Sequence, residues 1–192
     1  MFPWSSFLPY IIIVAYTPGP NNIMSMNNAA RKGFRKGLPF NLGVFAGFSI
    51  VMLLCMAFSK LLFTLIPRIA FPMKIAGAAY MLYLIWTILR PSKSHGENDG
   101  SGGFFAGAAL QFINVKIMIY GITAMSSYIL PHYSALPLLI LFSLLLAFVG
   151  FTGTLCWSAF GTLFSRLFRD HKLIMDVIMV ILLLYCAVSL FL

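Results

Sequence analysis

Long apolar stretches alternate with short basic segments along the whole chain. A helix needs about 20 mostly apolar residues to cross the hydrocarbon core of a bilayer, and six stretches approach or exceed that length. They run over Phe7–Ala30, Asn41–Ile66, Phe71–Leu89, Phe104–Leu130, Leu136–Leu163 and Leu173–Leu192. The pattern predicts an all-α membrane protein with six transmembrane helices.

The first stretch is interrupted halfway by Thr17, Pro18, Gly19, Pro20 and Asn21. Each proline lacks a backbone N–H donor, and its ring clashes with the carbonyl four residues earlier, so a regular helix cannot continue through this segment. Irregular backbone at membrane depth is tolerated only where it is buried in protein or lines a wet cavity. Because many transporters bind solutes at discontinuous helices, we predict a broken first helix with a binding site at the break.

The composition agrees with a membrane protein, and it changes how the net positive charge of the chain is interpreted. The chain is 61% hydrophobic and only 9% charged, whereas a soluble domain carries about 25% charged residues. Its 13 Lys and Arg against 4 Asp and Glu would indicate nucleic-acid binding in a soluble protein. Here the cations lie between apolar stretches, so the positive-inside rule explains them. We expect a lipid bilayer around the chain and no nucleic-acid partner.

The distribution of the cations predicts the orientation. Nine of the 13 lie in the first, third and fifth connections, namely Arg31, Lys32, Arg35, Lys36, Arg90, Lys93, Arg166, Arg169 and Lys172. The opposite face has only Lys60, Arg68 and Lys74, and Lys116 lies inside the fourth stretch. Because cytoplasmic loops are enriched in Lys and Arg, these three connections are predicted to be cytoplasmic and both termini periplasmic.

A hydrophilic, Gly- and Ser-rich segment, Pro91–Gly103, divides the six stretches into two groups of three. We interpret residues 1–90 and 104–192 as two three-helix repeats of a single membrane domain, and 91–103 as a cytoplasmic linker. An odd number of spans in each half requires the halves to be inverted relative to each other, which is a common plan of transporters. Inversion would bring the break in the first helix beside the middle of the fourth.

Polar residues in the middle of the fourth stretch match the depth of the break. Lys116 lies far from either end of that stretch, so snorkelling to the interface is difficult, and a central lysine costs about 2.5–3.5 kcal/mol on insertion. Such a cation can pair with a substrate carboxylate or carry a proton. Gln111, Asn114, Asn21 and Asn22 add neutral donors and acceptors, and a helix that restarts near Asn21 would favour an anion. One amide alone more often bonds a neighbouring helix; together they predict a substrate site.

Several other features predict packing and not chemistry. The cysteines Cys55, Cys156 and Cys186 lack the spacing of a zinc or redox motif and are interpreted as small core residues. The GxxxG patterns Gly43–Gly47 and Gly103–Gly107 predict close helix packing, either within the subunit or in a homodimer. No nucleophile–base pair, metal-ligand set or phosphate loop can be placed in the stretches, so we expect no enzymatic activity, no metal and no cofactor.

The segment Thr17-Pro18-Gly19-Pro20-Asn21, followed by Gly33 and Gly37, resembles the first-half signature of the lysine exporter (LysE/RhtB) family. Its members export amino acids and their derivatives across bacterial inner membranes. The fourth span of that family carries Asn-Pro-Lys, whereas this chain reads Asn114-Val115-Lys116. With that span, Cys156-Trp157 and Leu184-Tyr185-Cys186-Ala187-Val188 resemble the cysteine/O-acetylserine exporter branch. The resemblance implies efflux of cysteine, O-acetylserine or close analogues.

The resulting hypothesis is a secondary, proton-coupled exporter of small neutral amino acids that works by alternating access. Lys116 and the half-helix starting near Asn21 would hold the substrate carboxylate, and Asn22, Gln111 and Asn114 would bond its remaining polar groups. Two alternatives share the same membrane architecture. A passive channel or facilitator would use the same polar residues without coupling, and a scaffold subunit would use them only for helix contacts.

Overall fold

The computed structural model of the chain describes residues 2–89, 103–165, 171–189 and 191. Over these ranges it contains eight α-helices and no β-strand. They are α1 (Trp4–Tyr16), α2 (Pro20–Lys32), α3 (Phe34–Ala57), α4 (Ser59–Leu89), α5 (Phe104–Ile113), α6 (Val115–Thr123), α7 (Leu136–Leu163) and α8 (Lys172–Ser189). A π-helical turn, Ala124–Ile129, continues α6. The predicted linker lies outside the described residues except for Gly103, so it stays a prediction.

The prediction of an all-helical membrane protein is confirmed. On length and composition alone, α3 and α7 can each cross a bilayer, and α5 with α6 and its π-helical turn forms a third span if the bent pair is counted as one. The remaining apolar helices, α1, Lys74–Trp86 within α4 and Leu173–Val188 within α8, are shorter. The arrangement of six spans as inverted repeats therefore stays a prediction.

The break in the first helix is confirmed. α1 ends at Tyr16, and α2 begins at Pro20. Pro20 occupies the first helical position, where a missing N–H costs nothing because that group would have no partner within the helix. Gly19 just before it is extended, with φ near −173°. The prolines thus end one helix and start the next.

The predicted boundary between the second and third spans is wrong. The apolar stretch Asn41–Ile66 was expected to form one helix, but α3 starts at Phe34 and ends at Ala57, and α4 begins after the single residue Phe58. The polar pair Ser59 and Lys60 follows the turn directly, inside the stretch that was predicted to be one helix. Two polar residues within a long apolar stretch are a weak signal for a turn, because hydrophobicity reports mainly what faces lipid or core.

The prediction of one continuous fourth span is also wrong. The stretch Phe104–Leu130 breaks at Asn114, whose ψ is 94°, and α5 and the helix after it meet at 65°. An asparagine side chain offers the backbone hydrogen bonds that compete with a helix. α6 begins at Val115, the position at which the Asn-Pro-Lys pattern of the resembling family has its proline. A proline is well tolerated at a first helical position. The proline of the family pattern therefore indicates a helix start at this position, which the valine of this chain does not reveal.

Glycines let several helices approach closely. A Cβ at Gly43 would overlap the backbone of Phe104, and one at Gly107 would overlap the carbonyl of Phe40. Gly47 lies in the same way against Ala108. The GxxxG patterns predicted helix packing either within the subunit or in a homodimer. Gly43, Gly47 and Gly107 pack α3 against α5 within the subunit.

The most polar helix lies at the centre of the bundle. Every residue of α2 from Pro20 to Ala30 is buried, although this segment includes four asparagines and a serine. α2 packs against α3 and α7 and also touches α8. Buried amides need partners, so the bundle is organised around the hydrogen bonds of this one helix.

Candidate functional site

Lys116 joins the two helix breaks. It is the second residue of α6, and its Nζ donates hydrogen bonds to the carbonyl and the hydroxyl of Thr17, both at 2.9 Å, and to the carbonyl of Pro18 at 3.3 Å. These carbonyls follow the C-terminal end of α1, where helical partners are lacking and a cation is favoured. Gly19 permits the approach, because a Cβ there would lie 3.1 Å from Nζ.

An amide cluster forms the second part of the site. Asn21 Nδ2 donates to Gln111 Oε1 at 2.8 Å, and Gln111 Nε2 donates back to Asn21 Oδ1 at 3.1 Å and to the carbonyl of Gly107 at 2.7 Å. Asn114 Nδ2 also donates to Asn21 Oδ1, at 3.3 Å. All three amides are buried. The cluster ties the start of α2 to the end of α5, so the two breaks are fixed to each other by neutral groups as well as by the cation.

Asn22 closes the turn between α1 and α2. Its Nδ2 donates to the carbonyls of Ala15 at 3.0 Å and Thr17 at 2.8 Å, and the Thr17 hydroxyl donates to the carbonyl of Val14 at 3.0 Å. These bonds satisfy carbonyls that the end of α1 leaves without helical partners. Asn22 therefore supports the break itself, a structural role that its position in the sequence does not reveal.

Two cavities meet at the break. One, of about 30 Å³, lies between the break, α3 and α7, and its wall includes Phe48 and Thr154. The other, of about 420 Å³, extends along α1, α4, α6 and α8. Their common wall consists of Val14, Gly19, Pro20, Lys116 and Tyr120. Small-molecule sites commonly occupy about 300–1,000 Å³, so the larger cavity has room for a small solute beside the lysine, whereas the smaller one has room only for about one water molecule.

The nine residues predicted for the site come together at this point. They are Thr17, Pro18, Gly19, Pro20, Asn21, Asn22, Gln111, Asn114 and Lys116. Gln111 lies behind Asn21 and is fully buried, so it positions its neighbour and does not face the cavities. The proximity is a property of the fold, and the binding of a substrate by these residues is a proposal.

Sequence reasoning missed part of the cavity wall. Tyr10 stacks on Tyr120 with ring centroids 5.9 Å apart, and both rings line the larger cavity with Thr123 and Cys186. The sequence interpretation treated Cys186 as a packing residue only. No spacing marks these residues, because they belong to helices distant in sequence and are brought together only by the tertiary fold.

Fold and site together define a class of protein. A membrane-embedded helical bundle with two broken helices, which meet at a lysine between two cavities, has the architecture of a solute transporter. The family model described as LysE type translocator matches residues 12–192. The chain belongs to this translocator family, which confirms the family resemblance of the sequence, and it is a transporter and not an enzyme.

Curated relatives are similar over almost their whole length. The cysteine/O-acetylserine efflux proteins of Escherichia coli strain K12 and of Shigella flexneri serotype 5b (strain 8401) are each 43% identical to this chain over 188 residues. Each comparison covers 97% of this chain and 96% of the relative. No solved structure matches the chain.

Proposed function

We propose that this chain is a secondary transporter that exports small neutral amino acids or their derivatives, with cysteine, O-acetylserine and close analogues as the substrate class, across the bacterial inner membrane. The single observation that carries the proposal is the position of Lys116. Its ammonium group bridges the two helix breaks in the common wall of two cavities. The names of the relatives, which are similar over nearly the full length, support the substrate class.

The substrate carboxylate would bind between Lys116 and the start of α2. The backbone N–H groups of Asn21 and Asn22 lie in the first turn, where a helix favours an anion. Lys116 Nζ would exchange its bonds to the carbonyls of Thr17 and Pro18 for a charge-assisted bond to the carboxylate. Because that exchange releases the two breaks from each other, substrate binding and helix movement would be coupled.

The remaining polar groups of the substrate would bind to neutral amides. Asn114 lines the smaller cavity together with Asn22, and each amide can both donate and accept hydrogen bonds. Gln111 would keep Asn21 in place. The absence of a carboxylate from the walls of both cavities, within the described residues, favours a substrate without net positive charge.

Transport would follow alternating access between two inverted halves. One break lies in each half of the chain, at 17–19 and at Asn114, which is the arrangement that an inverted repeat would produce. Proton antiport would supply the energy, with Lys116 as the carrier. Release of its proton would remove the charge that binds both the substrate and the carbonyls of the break.

The test is uptake of labelled O-acetylserine and cysteine into inside-out vesicles, with and without an imposed pH gradient. Wild type is expected to accumulate solute when a gradient is present, and Lys116→Met to lose accumulation because no cation remains for the carboxylate or the proton. Arg35→Met, which removes an exposed cation at the start of α3, is the control for net charge and is expected to transport normally.

Three results would contradict parts of the proposal. Normal accumulation by Lys116→Met would remove Lys116 from the mechanism. Equilibration without accumulation by wild type would indicate a passive facilitator. Absence of flux for either solute, with folded protein in the vesicles, would overturn the substrate class.

A further inference from the structure

A second buried polar cluster lies one helical turn beyond the break, on the side of the basic loop, the segment around the junction of α2 and α3 that carries Arg31, Lys32, Arg35 and Lys36. Ser25 Oγ donates to Asn41 Oδ1 at 2.7 Å, Asn41 Nδ2 donates to Ser158 Oγ at 2.8 Å, and Ser158 Oγ donates to the carbonyl of Ser25 at 3.2 Å. These three residues, the serine–asparagine triad, are at most 1% exposed. They join α2, α3 and α7 in a closed ring of hydrogen bonds.

Asn28 continues the polar residues of α2 toward the same side. It is 6% exposed, and its Nδ2 has no hydrogen-bond partner among the described residues. Such a buried donor is costly, so its presence in a native structure calls for an explanation. Asn27 also has one unpartnered buried atom, its Oδ1.

Helix geometry separates these two asparagines. At about 100° per residue, Asn21, Ser25 and Asn28 fall within about 60° of one another and form a polar stripe on α2, whereas Asn27 lies about 100° away from Asn28. This α2 stripe starts at the amide cluster of the break, passes through the triad and ends one turn before Lys32. It is a continuous line of neutral donors and acceptors from the candidate site to the basic loop.

The bundle is closed around the α2 stripe and open on the other side of the break. A Cβ at Gly161 would overlap the carbonyl of Met26, and Gly37 lies against the backbone of Ala29, so α7 and α3 cover α2 closely. The larger cavity extends in the opposite direction, toward Tyr10 and Thr123. The triad is therefore the polar part of the closed half.

We propose that the α2 stripe is the substrate path between the break and the basic loop, that the serine–asparagine triad is its closed gate, and that Asn28 binds the solute beyond the gate. The proposal rests on the proposed function. Neutral hydroxyls and amides suit a gate, since each hydrogen bond can be exchanged for one to a small zwitterion or to water without leaving a buried charge behind. Positive-inside orientation assigns this gate to the cytoplasmic side.

The gate is tested by thiol labelling. Ser158→Cys is placed in a background in which Cys55, Cys156 and Cys186 are replaced by serine and which is shown to retain efflux. In inside-out vesicles, a membrane-impermeant methanethiosulfonate reagent is expected to modify this variant, and several-fold faster when O-acetylserine is present, because the gate must open for the solute. Ser143→Cys is the matched control. Ser143 is equally buried on α7 but lies in the half of that helix remote from the basic loop, and it is expected to stay unlabelled.

The path is tested by two neighbouring substitutions. Asn28→Leu is expected to lower O-acetylserine transport about tenfold, the effect of losing one good hydrogen bond to the moving solute, with unchanged amounts of folded protein. Asn27→Leu, which removes an equally buried amide from another face of α2, is expected to transport at the wild-type rate.

Wild-type transport by Asn28→Leu, or Ser158→Cys that stays unlabelled with and without solute, would overturn the proposal. Failure of the proposed function gives a different result. In that case wild type moves no O-acetylserine, while labelling of Ser158→Cys without added solute still reports on the gate.

Discussion

Lys116 is a costly residue in a membrane helix, and its hydrogen-bond partners compensate for that cost. A central lysine is unfavourable by about 2.5–3.5 kcal/mol, and three hydrogen bonds to Thr17 and Pro18 offset that cost. The partners are backbone and hydroxyl oxygens and not a carboxylate, so no negative charge among them offsets the charge of the ammonium group. A carboxylate partner would have neutralised the site.

The pair formed by Asn21 and Gln111 gives a prediction that separates stability from transport. Asn21→Leu leaves the side chain of Gln111 buried without this partner, which costs about 1–3 kcal/mol of unfolding free energy. Asn21→Leu with Gln111→Leu is expected to regain much of that loss, because the buried polar group is removed with its partner, while export remains defective in both variants. Thermal unfolding in detergent and vesicle transport are the two measurements.

Equal and additive losses of stability from the two substitutions would contradict this coupling. Independent sites give additive effects, whereas residues in contact do not.

At the residue scale, the sequence predicted which polar residues lie together at the break. It did not predict the structural role of each one. Lys116, Asn21 and Gln111 stand out because polar groups are rare at membrane depth. Asn22, which closes the turn after α1, looks the same in the sequence as a substrate ligand. The serine–asparagine triad could not be predicted as a cluster, because Ser25 and Ser158 are 133 residues apart and serines are ordinary in membrane helices.

Between elements, close packing of α3 on α5 joins the two halves of the chain. Gly43 and Gly107 bring the two helix backbones into direct contact. Lipid gives no hydrophobic driving force for such contacts, so small residues and van der Waals packing replace it. α5 also carries Gln111 of the amide cluster, so its packing on α3 helps to position the candidate site.

Gly107→Val is expected to destabilise the protein, because the added side chain meets the carbonyl of Phe40, which is backbone and cannot rotate away. Overpacking of this kind costs about 1–3 kcal/mol or more. Ala109→Val, at an exposed position of the same helix, is the control. The measurement is the yield and the thermal unfolding midpoint of the detergent-purified protein, and equal midpoints for the two variants would contradict the close approach of α3 and α5.

Helix breaks were predictable where proline made them. Pro18 and Pro20 mark the first break, whereas the second, at Asn114, follows from a single asparagine in an apolar run and was missed. The turn at Phe58 was missed although Ser59 and Lys60 follow it, because these two polar residues were included in a longer apolar stretch. Patterns of hydrophobicity report the environment of a segment and not its local backbone.

At the scale of the whole molecule, the cations predict an orientation, and one ion pair joins the end of α2 to the start of α8 on the basic side of the bundle. Arg31 at the end of α2 and Asp176 near the start of α8 are joined at 3.3 Å. Asp176 is the only acidic residue of the predicted spans, and in the fold it lies at the basic side of the bundle and not at the candidate site. Arg31 is 40% exposed in this pair, and such a pair contributes at most about 1 kcal/mol.

Orientation is tested with cysteines at two histidines in the cysteine-free background. His95→Cys, in the predicted cytoplasmic linker, is expected to react with an impermeant thiol reagent only in inside-out vesicles. His132→Cys, at an exposed position between the π-helical turn and α7, is expected to react only in right-side-out vesicles, because the positive-inside rule assigns the two connections to opposite faces. Labelling of both variants from the same side would contradict the orientation and the inverted halves together.

The polarity of α2 has a consequence for biogenesis. Four asparagines and a serine within 13 residues cannot remain in lipid, where every unpaired polar group is costly. The partners of Asn21 and Ser25, namely Gln111, Asn41 and Ser158, lie in helices that leave the ribosome later. We therefore expect this early segment to be among the last that are stably inserted, and a chain that stops before α7 leaves Ser25 without Ser158, which completes its ring of hydrogen bonds.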